Sequence, residues 1–380
     1  MTAMTAMTAM TAMTAMTSGG RAPGRLAELT GMSGDPELTE ALIKSSGRID
    51  FTGKPADVRT GAYGPLAMPA FNQANQLAFW QPEVRAHLCA VELHEGLTYE
   101  FDNSVAAHPK VQLTHFHVTR VGAALNATAR PVASVSRPAR TVFDAQLAKV
   151  VSLASGDKRR PRASEIQCQM LPQVPFWTTL VPLSATRTPW TFELIGSVVS
   201  FAMQVVHEFK HALAVQRPVE LSARVQPILQ TPGWSALPSG HATEAFTVAY
   251  FLRALLGLTP GSEMDSGLEQ QAKAIADNRV YAGLHYPVDG VAGRLLAVCL
   301  AEYAVARCTG AAWTERTFDG SQTAALANLD LNVGDSLTAS VVATPYYSIG
   351  AAVNVLPLKG QSILGEMWNR AWTEMGNLGL

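Results

Sequence analysis

The stretch Trp190–Pro218, WTFELIGSVVSFAMQVVHEFKHALAVQRP, decides the architecture. Its apolar residues recur at helical spacing from Trp190 to Val215, and Pro218 stops the pattern because its ring cannot continue a helix. Three more helical stretches follow: Ala242 to Leu256, opened by Pro238-Ser239-Gly240; Leu268 to Leu284, up to the His285-Tyr286-Pro287 break; and Val288 to Arg307. Short Gly/Pro loops between them predict neighbours that run antiparallel, hence a mainly α fold built as an antiparallel helical bundle over residues 186–310.

Outward from this block the signals weaken. The chain opens on five copies of Met-Thr-Ala, and residues 1–24 read as a disordered low-complexity tail. Residues 25–185 read as a mixed region packing on the bundle, with helix signals at 71–92 (interrupted near Pro82) and 141–154, and an extended segment at 111–121. Gly156 to Arg162, GDKRRPR, reads as a solvated basic connector. Residues 311–380 form a C-terminal extension, strand or loop at 331–355 and a terminal helix at 362–375. Both flanks are expected to be irregular additions.

Composition narrows the function. Of 380 residues, 48% are apolar, enough for a substantial core. Lysine plus arginine (29) nearly cancels aspartate plus glutamate (30), so no global field draws the chain to nucleic acid. The four cysteines lack metal-site spacing and read as reduced thiols. No run reaches the ~18 uncharged apolar residues of a membrane span, and the N-terminus lacks a signal-peptide pattern. The expectation is a soluble, cytoplasmic protein without membrane insertion, its oligomeric state left open.

Three fragments of the second half carry chemistry. In KHALAVQRP, Lys210 and Arg217 lie about two helical turns apart and project from nearly one face, an arrangement an anion between them would relieve. In PSGH, Ser239 and Gly240 open a helix whose first N–H groups suit a tetrahedral oxyanion, and His241 stands at the rim to give or take a proton. In RVYAGLHYPVD, Arg279 sits near a helix end, and Asp289 follows His285 by four residues, within reach of its imidazole. A carboxylate there fixes the tautomer and leaves the other ring nitrogen free.

The order KxxxxxxRP, PSGH, RxxxxxHxxxD resembles the three-part signature of the type 2 phosphatidic acid phosphatase and vanadium haloperoxidase superfamily, over Lys210 to Asp289. Asn278 departs from the pattern, standing where many members carry serine. The resemblance implies a bundle of the acid phosphatase/vanadium haloperoxidase type. It also implies that Lys210, Arg217 and Arg279 hold the equatorial oxygens of phosphate or vanadate, helped by Ser239 and the Gly240 amide. His285 becomes the axial group, either a nucleophile forming phosphohistidine or the vanadium ligand. His241 becomes its acid–base partner, and Asp289 orients His285.

The signature serves two chemistries. The missing transmembrane framework and signal peptide, with the long N-terminal half, resemble the soluble haloperoxidase branch. Trp234, five positions before Ser239, stands where that branch carries a residue beside its halide site. The expectation is therefore a vanadate-dependent haloperoxidase-like enzyme taking peroxide and halide. The alternative is a soluble phosphomonoesterase that needs no cofactor, and a minor third is a non-catalytic oxyanion-binding protein. His115 and His117 share one strand face, a weak metal signal. The run HEFKH at 207–211 fits the zinc-protease pattern literally, but Lys210 between the histidines is electrostatically adverse to zinc.

Overall fold

A computed structural model of the chain describes residues 36–46, 71–170, 173–331, 344–353 and 362–379. The Met-Thr-Ala lead and the tail expected at 1–24 lie outside these residues. In chain order the main elements are α1 (Pro36–Ser46), α2 (Pro82–His94), β1 (Leu97–Asp102), β2 (Lys110–Val121), β3 (Ala124–Ser136), α3 (Arg140–Leu153) and α4 (Ala163–Cys168). Then come α5 (Pro189–Leu213), α6 (Gly240–Leu255), α7 (Glu263–Tyr281), α8 (Pro287–Thr309), β4 (Trp313–Phe318), β5 (Tyr347–Val353) and α9 (Ile363–Gly376).

The expectation of a helical bundle with irregular additions is corrected by the sheet. Five strands pair in the order β1-β2-β3-β4-β5, with β3 and β4 parallel and the other neighbours antiparallel. The strands come from both flanks, so the N-terminal region and the C-terminal extension share one hydrogen-bonded layer. The physical reason is legible in β3. Its first half, Ala124–Ala129, is exposed, whereas Val132, Ala133 and Val135 are fully buried. A strand covered on both faces shows no alternation and is easily read as a loop.

The sheet packs on α8 through Tyr303, whose ring stands edge-on to Trp313 and whose hydroxyl bonds His115 Nδ1 at 3.0 Å. His115 is thus a core histidine, its pKa lowered to about 4 by burial. One continuous apolar core runs from Cys89 in α2 through α5, α6 and α8 to Met375 in α9.

Helix α5 begins with Pro189 at its first turn, where the missing N–H costs nothing, and ends as Ala214 turns left-handed at φ 48°. Its buried face, including Phe201, Val205, Phe209 and Leu213, packs against α2, α6 and α9. The stretch Pro189–Leu221 is long and apolar enough to cross a membrane by length and composition, with 67% of its most apolar window buried inside the protein. This overturns the expectation that no segment reaches spanning character, and the soluble, cytoplasmic assignment built on it. Ser197, Ser200 and Gln204 dilute the run without cancelling it.

Two close approaches position the site. Gly293 of α8 faces the start of α6, where a Cβ would lie 2.7 Å from the Ser239 carbonyl and 3.0 Å from Ala242 Cβ. Only glycine lets the two helices meet there. Gly283, at φ +81°, ends α7, and a Cβ there would meet Arg159 at 2.8 Å. Arg159 is buried and donates to the carbonyls of Tyr281, Gln226 and Val225, while Arg162 stacks over Tyr281 and donates to Asn278. Arg159 and Arg162 of the GDKRRPR segment therefore clamp the turn before His285, while Gly156, Asp157, Lys158, Arg160 and Pro161 are exposed.

Candidate active site

The loop before α6 brings the first two sequence fragments together. Val215 N–H donates to Ser235 Oγ at 2.8 Å and Ala236 N–H donates to the Val215 carbonyl at 2.9 Å. Lys210, at the end of α5 and only 2% exposed, donates to the carbonyls of Ser235 (2.9 Å) and Ala236 (3.0 Å). Arg217 Nε donates to the Trp234 carbonyl at 2.9 Å. The third fragment is tied in by the Ser239 N–H, which donates to the Asp289 carbonyl at 2.9 Å. Val288 N–H, in the first turn of α8, is satisfied by Gln146 Oε1 of α3 at 3.1 Å.

Within this frame His285 is held at both ring nitrogens. Nδ1 lies 2.9 Å from Asp289 Oδ2, which also accepts the Tyr286 N–H at 2.9 Å. Arg217 Nη1 lies 2.9 Å from Nε2 and 3.0 Å from the Leu284 carbonyl. A guanidinium only donates, so Nε2 carries the lone pair and Nδ1 carries the proton toward Asp289. Burial, then the charges of Arg217, Lys210, His241 and Arg279, hold His285 well below the usual imidazole range. It is therefore neutral at physiological pH. The three cations and the second imidazole therefore all lie near enough to act on this one ring.

Each cation is destabilised by confinement. Burial, reinforced by Arg217, drives Lys210 well below the usual lysine range, and burial lowers Arg217 and Arg279 to about 10 each. Arg279 is fully buried; its Nη2 donates to Gln169 Oε1 (2.7 Å) and the Ile166 carbonyl (3.1 Å), while its Nε has no acceptor among the described residues. Burial and Arg279 lower His241 to about 3, with a hydrogen bond to the Gln169 backbone acting the other way. Three cations with an unsatisfied donor, a lone-pair nitrogen and a helix start are the groups that could hold a tetrahedral oxyanion.

Ser239 caps α6, its hydroxyl accepting the Ala242 N–H at 3.4 Å, and Gly240 contributes the first amide of that helix. Burial raises Asp289 to about 7 against the hydrogen bond from the Tyr286 backbone and the charges of Lys210 and Arg217. Trp234 is half-buried, its ring edge-on to His207 at 5.7 Å, so it is the backbone carbonyl that serves Arg217. His207 Nδ1 bonds the Met203 carbonyl at 2.6 Å, and among the described residues no three His, Cys, Asp or Glu side chains group as a metal site.

Sequence reading missed Gln169 and Glu244. Gln169 is buried, and its Oε1 accepts from both Asn278 Nδ2 (3.1 Å) and Arg279 Nη2 (2.7 Å). Its helix lies more than one hundred residues before Arg279, and no local pattern signals that pairing. Glu244 left a fainter trace: a carboxylate three residues after His241 inside an apolar helix.

Residues 190–311 match the PAP2 superfamily. The match reaches the superfamily without distinguishing the haloperoxidase-like branch. Comparison with curated proteins gives no match. Among solved structures, the chain resembles a transmembrane PAP2-type phosphatidylglycerolphosphate phosphatase from Bacillus subtilis, with 18% identity over 42% of this chain and 79% of that one. The TM-score is 0.25, too low for the likeness to bear on the fold or activity of this chain. On its family match, the chain carries a PAP2 superfamily domain at residues 190–311.

Proposed function

We propose that this chain hydrolyses phosphomonoesters through a phosphohistidine on His285. The observation that carries the reading is the His285 ring. Its Nδ1–H is fixed on Asp289, so the Nε2 lone pair faces the Arg217 guanidinium, with Lys210 and Arg279 near enough to act on the same ring. The superfamily match supports phosphatase-type chemistry, whereas the halide oxidation expected from the sequence rested on the missing transmembrane framework and on Trp234, whose ring packs edge-on to His207.

In the first step Nε2 attacks phosphorus while the bond to the leaving oxygen breaks. The electron pair departs on that oxygen, which takes a proton from His241. Arg217 gives up its bond to Nε2 and turns to the phosphoryl oxygens with Lys210 and Arg279, spreading the charge of the transition state. A bound dianion offsets the cations that depress His241, raising its pKa toward the range of a working acid. Water then attacks phosphorus and passes its proton to His241. The P–N bond breaks, its pair returns to Nε2, and inorganic phosphate leaves.

The same donors would hold vanadate through His285, Lys210, Arg217 and Arg279, and vanadium would supply Lewis-acid activation of peroxide. The test separates the two. Purified protein is assayed with p-nitrophenyl phosphate, and in parallel with vanadate, peroxide and bromide. Phosphate release that His285→Ala abolishes supports the proposal; vanadate-dependent bromination without phosphate release overturns it.

A further inference from the structure

The mechanism above makes no use of a carboxyl group that stands inside the cradle. A Cβ built on Gly240 would find Glu244 Oε1 and Lys210 Cε each at 3.7 Å, so Glu244 and Lys210 flank the same amide at the start of α6. Among the described residues its other oxygen meets Gln173 Nε2, at a long 3.5 Å. The charged and titratable groups facing it are Lys210 from α5 and Arg279 from α7. His241 precedes it on α6, and the His285–Asp289 pair lies across the pocket on α8.

Charge counting makes its presence informative. Lys210, Arg217 and Arg279 supply three positive charges, opposed by Asp289 and, at Arg217 and Arg279, by Glu220 and Glu165, so a doubly charged guest uses up the positive charge that is left. An ionised Glu244 beside it would add further negative charge. Asp289 is ill placed to absorb a proton, since its ionised oxygen accepts two hydrogen bonds at 2.9 Å. Glu244 has only the long contact to Gln173 to hold its charge, against two close hydrogen bonds at Asp289.

We propose that Glu244 takes up one proton when a dianionic tetrahedral oxyanion enters the cradle, and that the resulting carboxyl donates to an oxygen of the guest. This deepens the phosphatase reading, because it makes Glu244 a specificity residue for dianions and links release of the phosphate product to loss of that proton. Burial already raises Glu244 to about 7 in the absence of any guest, against the pull of Lys210 and Arg279.

Sulfate is the probe, because it stays dianionic across the working pH range and any proton taken up belongs to the protein. Calorimetry in buffers of different ionisation enthalpy counts the protons, and infrared difference spectra show whether a carboxyl is the acceptor. The expected result is uptake of about one proton at pH 8, with a new protonated-carboxyl band, both lost in Glu244→Gln. Affinity for sulfate in the unaltered protein then falls about tenfold per pH unit once Glu244 is ionised. Uptake unchanged in Glu244→Gln assigns the proton to Lys210, His241 or Asp289 and overturns the proposal. Absence of the carboxyl band, or of sulfate binding, overturns it as well. Should Glu244→Gln fail to fold, Glu244→Asp must shift the band, and an unshifted band is fatal. None of these readouts uses turnover, so phosphatase activity surviving in His285→Ala would defeat the phosphohistidine reading and leave this one standing.

Discussion

Replacing Asp289 by asparagine isolates the device that aims His285. Asp289 is fully buried, and one oxygen, Oδ2, accepts both the His285 Nδ1–H and the Tyr286 N–H at 2.9 Å. An asparagine of the same shape offers one acceptor and one donor where two donors converge. If it serves the Tyr286 N–H, the His285 ring loses its charged partner, and the tautomer protonated at Nε2, which cannot attack, becomes accessible. A buried hydrogen bond to a charged group is worth about 1.5–3 kcal/mol. At about 1.4 kcal/mol per factor of ten, kcat/KM should fall by about 10- to 150-fold. The change also removes a negative charge that supports protonated Lys210 and Arg217, which adds to the loss. Steady-state kinetics with p-nitrophenyl phosphate measure the fall, and a thermal melt separates it from unfolding. Nitrogen NMR of the His285 ring reports the tautomer directly. A folded Asp289→Asn protein within about threefold of the original kcat/KM would refute the orienting role.

Three further outcomes follow from the same geometry. Gln169→Leu removes an acceptor from Arg279 at 2.7 Å, and the affinity for inorganic phosphate should weaken about tenfold by calorimetry; unchanged affinity would mean that Arg279 needs no such support. Gly293→Ala pushes a Cβ to 2.7 Å from the Ser239 carbonyl, so denaturant titration should show a loss of about 1–3 kcal/mol and activity should fall with it; an unperturbed protein would place α6 and α8 further apart than described. Burial and its cationic neighbours hold His285 well below the usual imidazole range, so at pH 6.5, where an ordinary imidazole is half protonated, its ring should still be neutral by nitrogen NMR. An apparent midpoint near the ordinary value of about 6.5 would contradict that environment.

The site was legible where chemistry is local and opaque where it is not. Lys210 and Arg217 declare themselves by helical spacing, Ser239 and Gly240 by opening a helix, and His285 with Asp289 by a four-residue interval across a proline turn. Gln169 and Arg159 gave no such sign, because each acts on backbone or side chains some 70 to 120 residues away. The fold shows the same division. Helices α5 to α8 carry a 3.6-residue pattern, whereas the sheet hides in β3, whose buried half, Val132–Ser136, mixes small apolar residues with two buried serines and shows no exposed–buried alternation. β4 joins that layer only by pairing with β3, more than one hundred residues earlier, and β5 joins it only through β4.

The central claim is a covalent bond between phosphorus and Nε2 of His285. Mixing the protein with a phosphomonoester, quenching in alkali and mapping the phosphoryl group by mass spectrometry tests it, with His241→Ala used to slow the second step. The account predicts a phosphoryl group on the peptide bearing His285, absent from His285→Ala. A phosphoryl group on any other residue, or turnover in His285→Ala at the original rate, would contradict it.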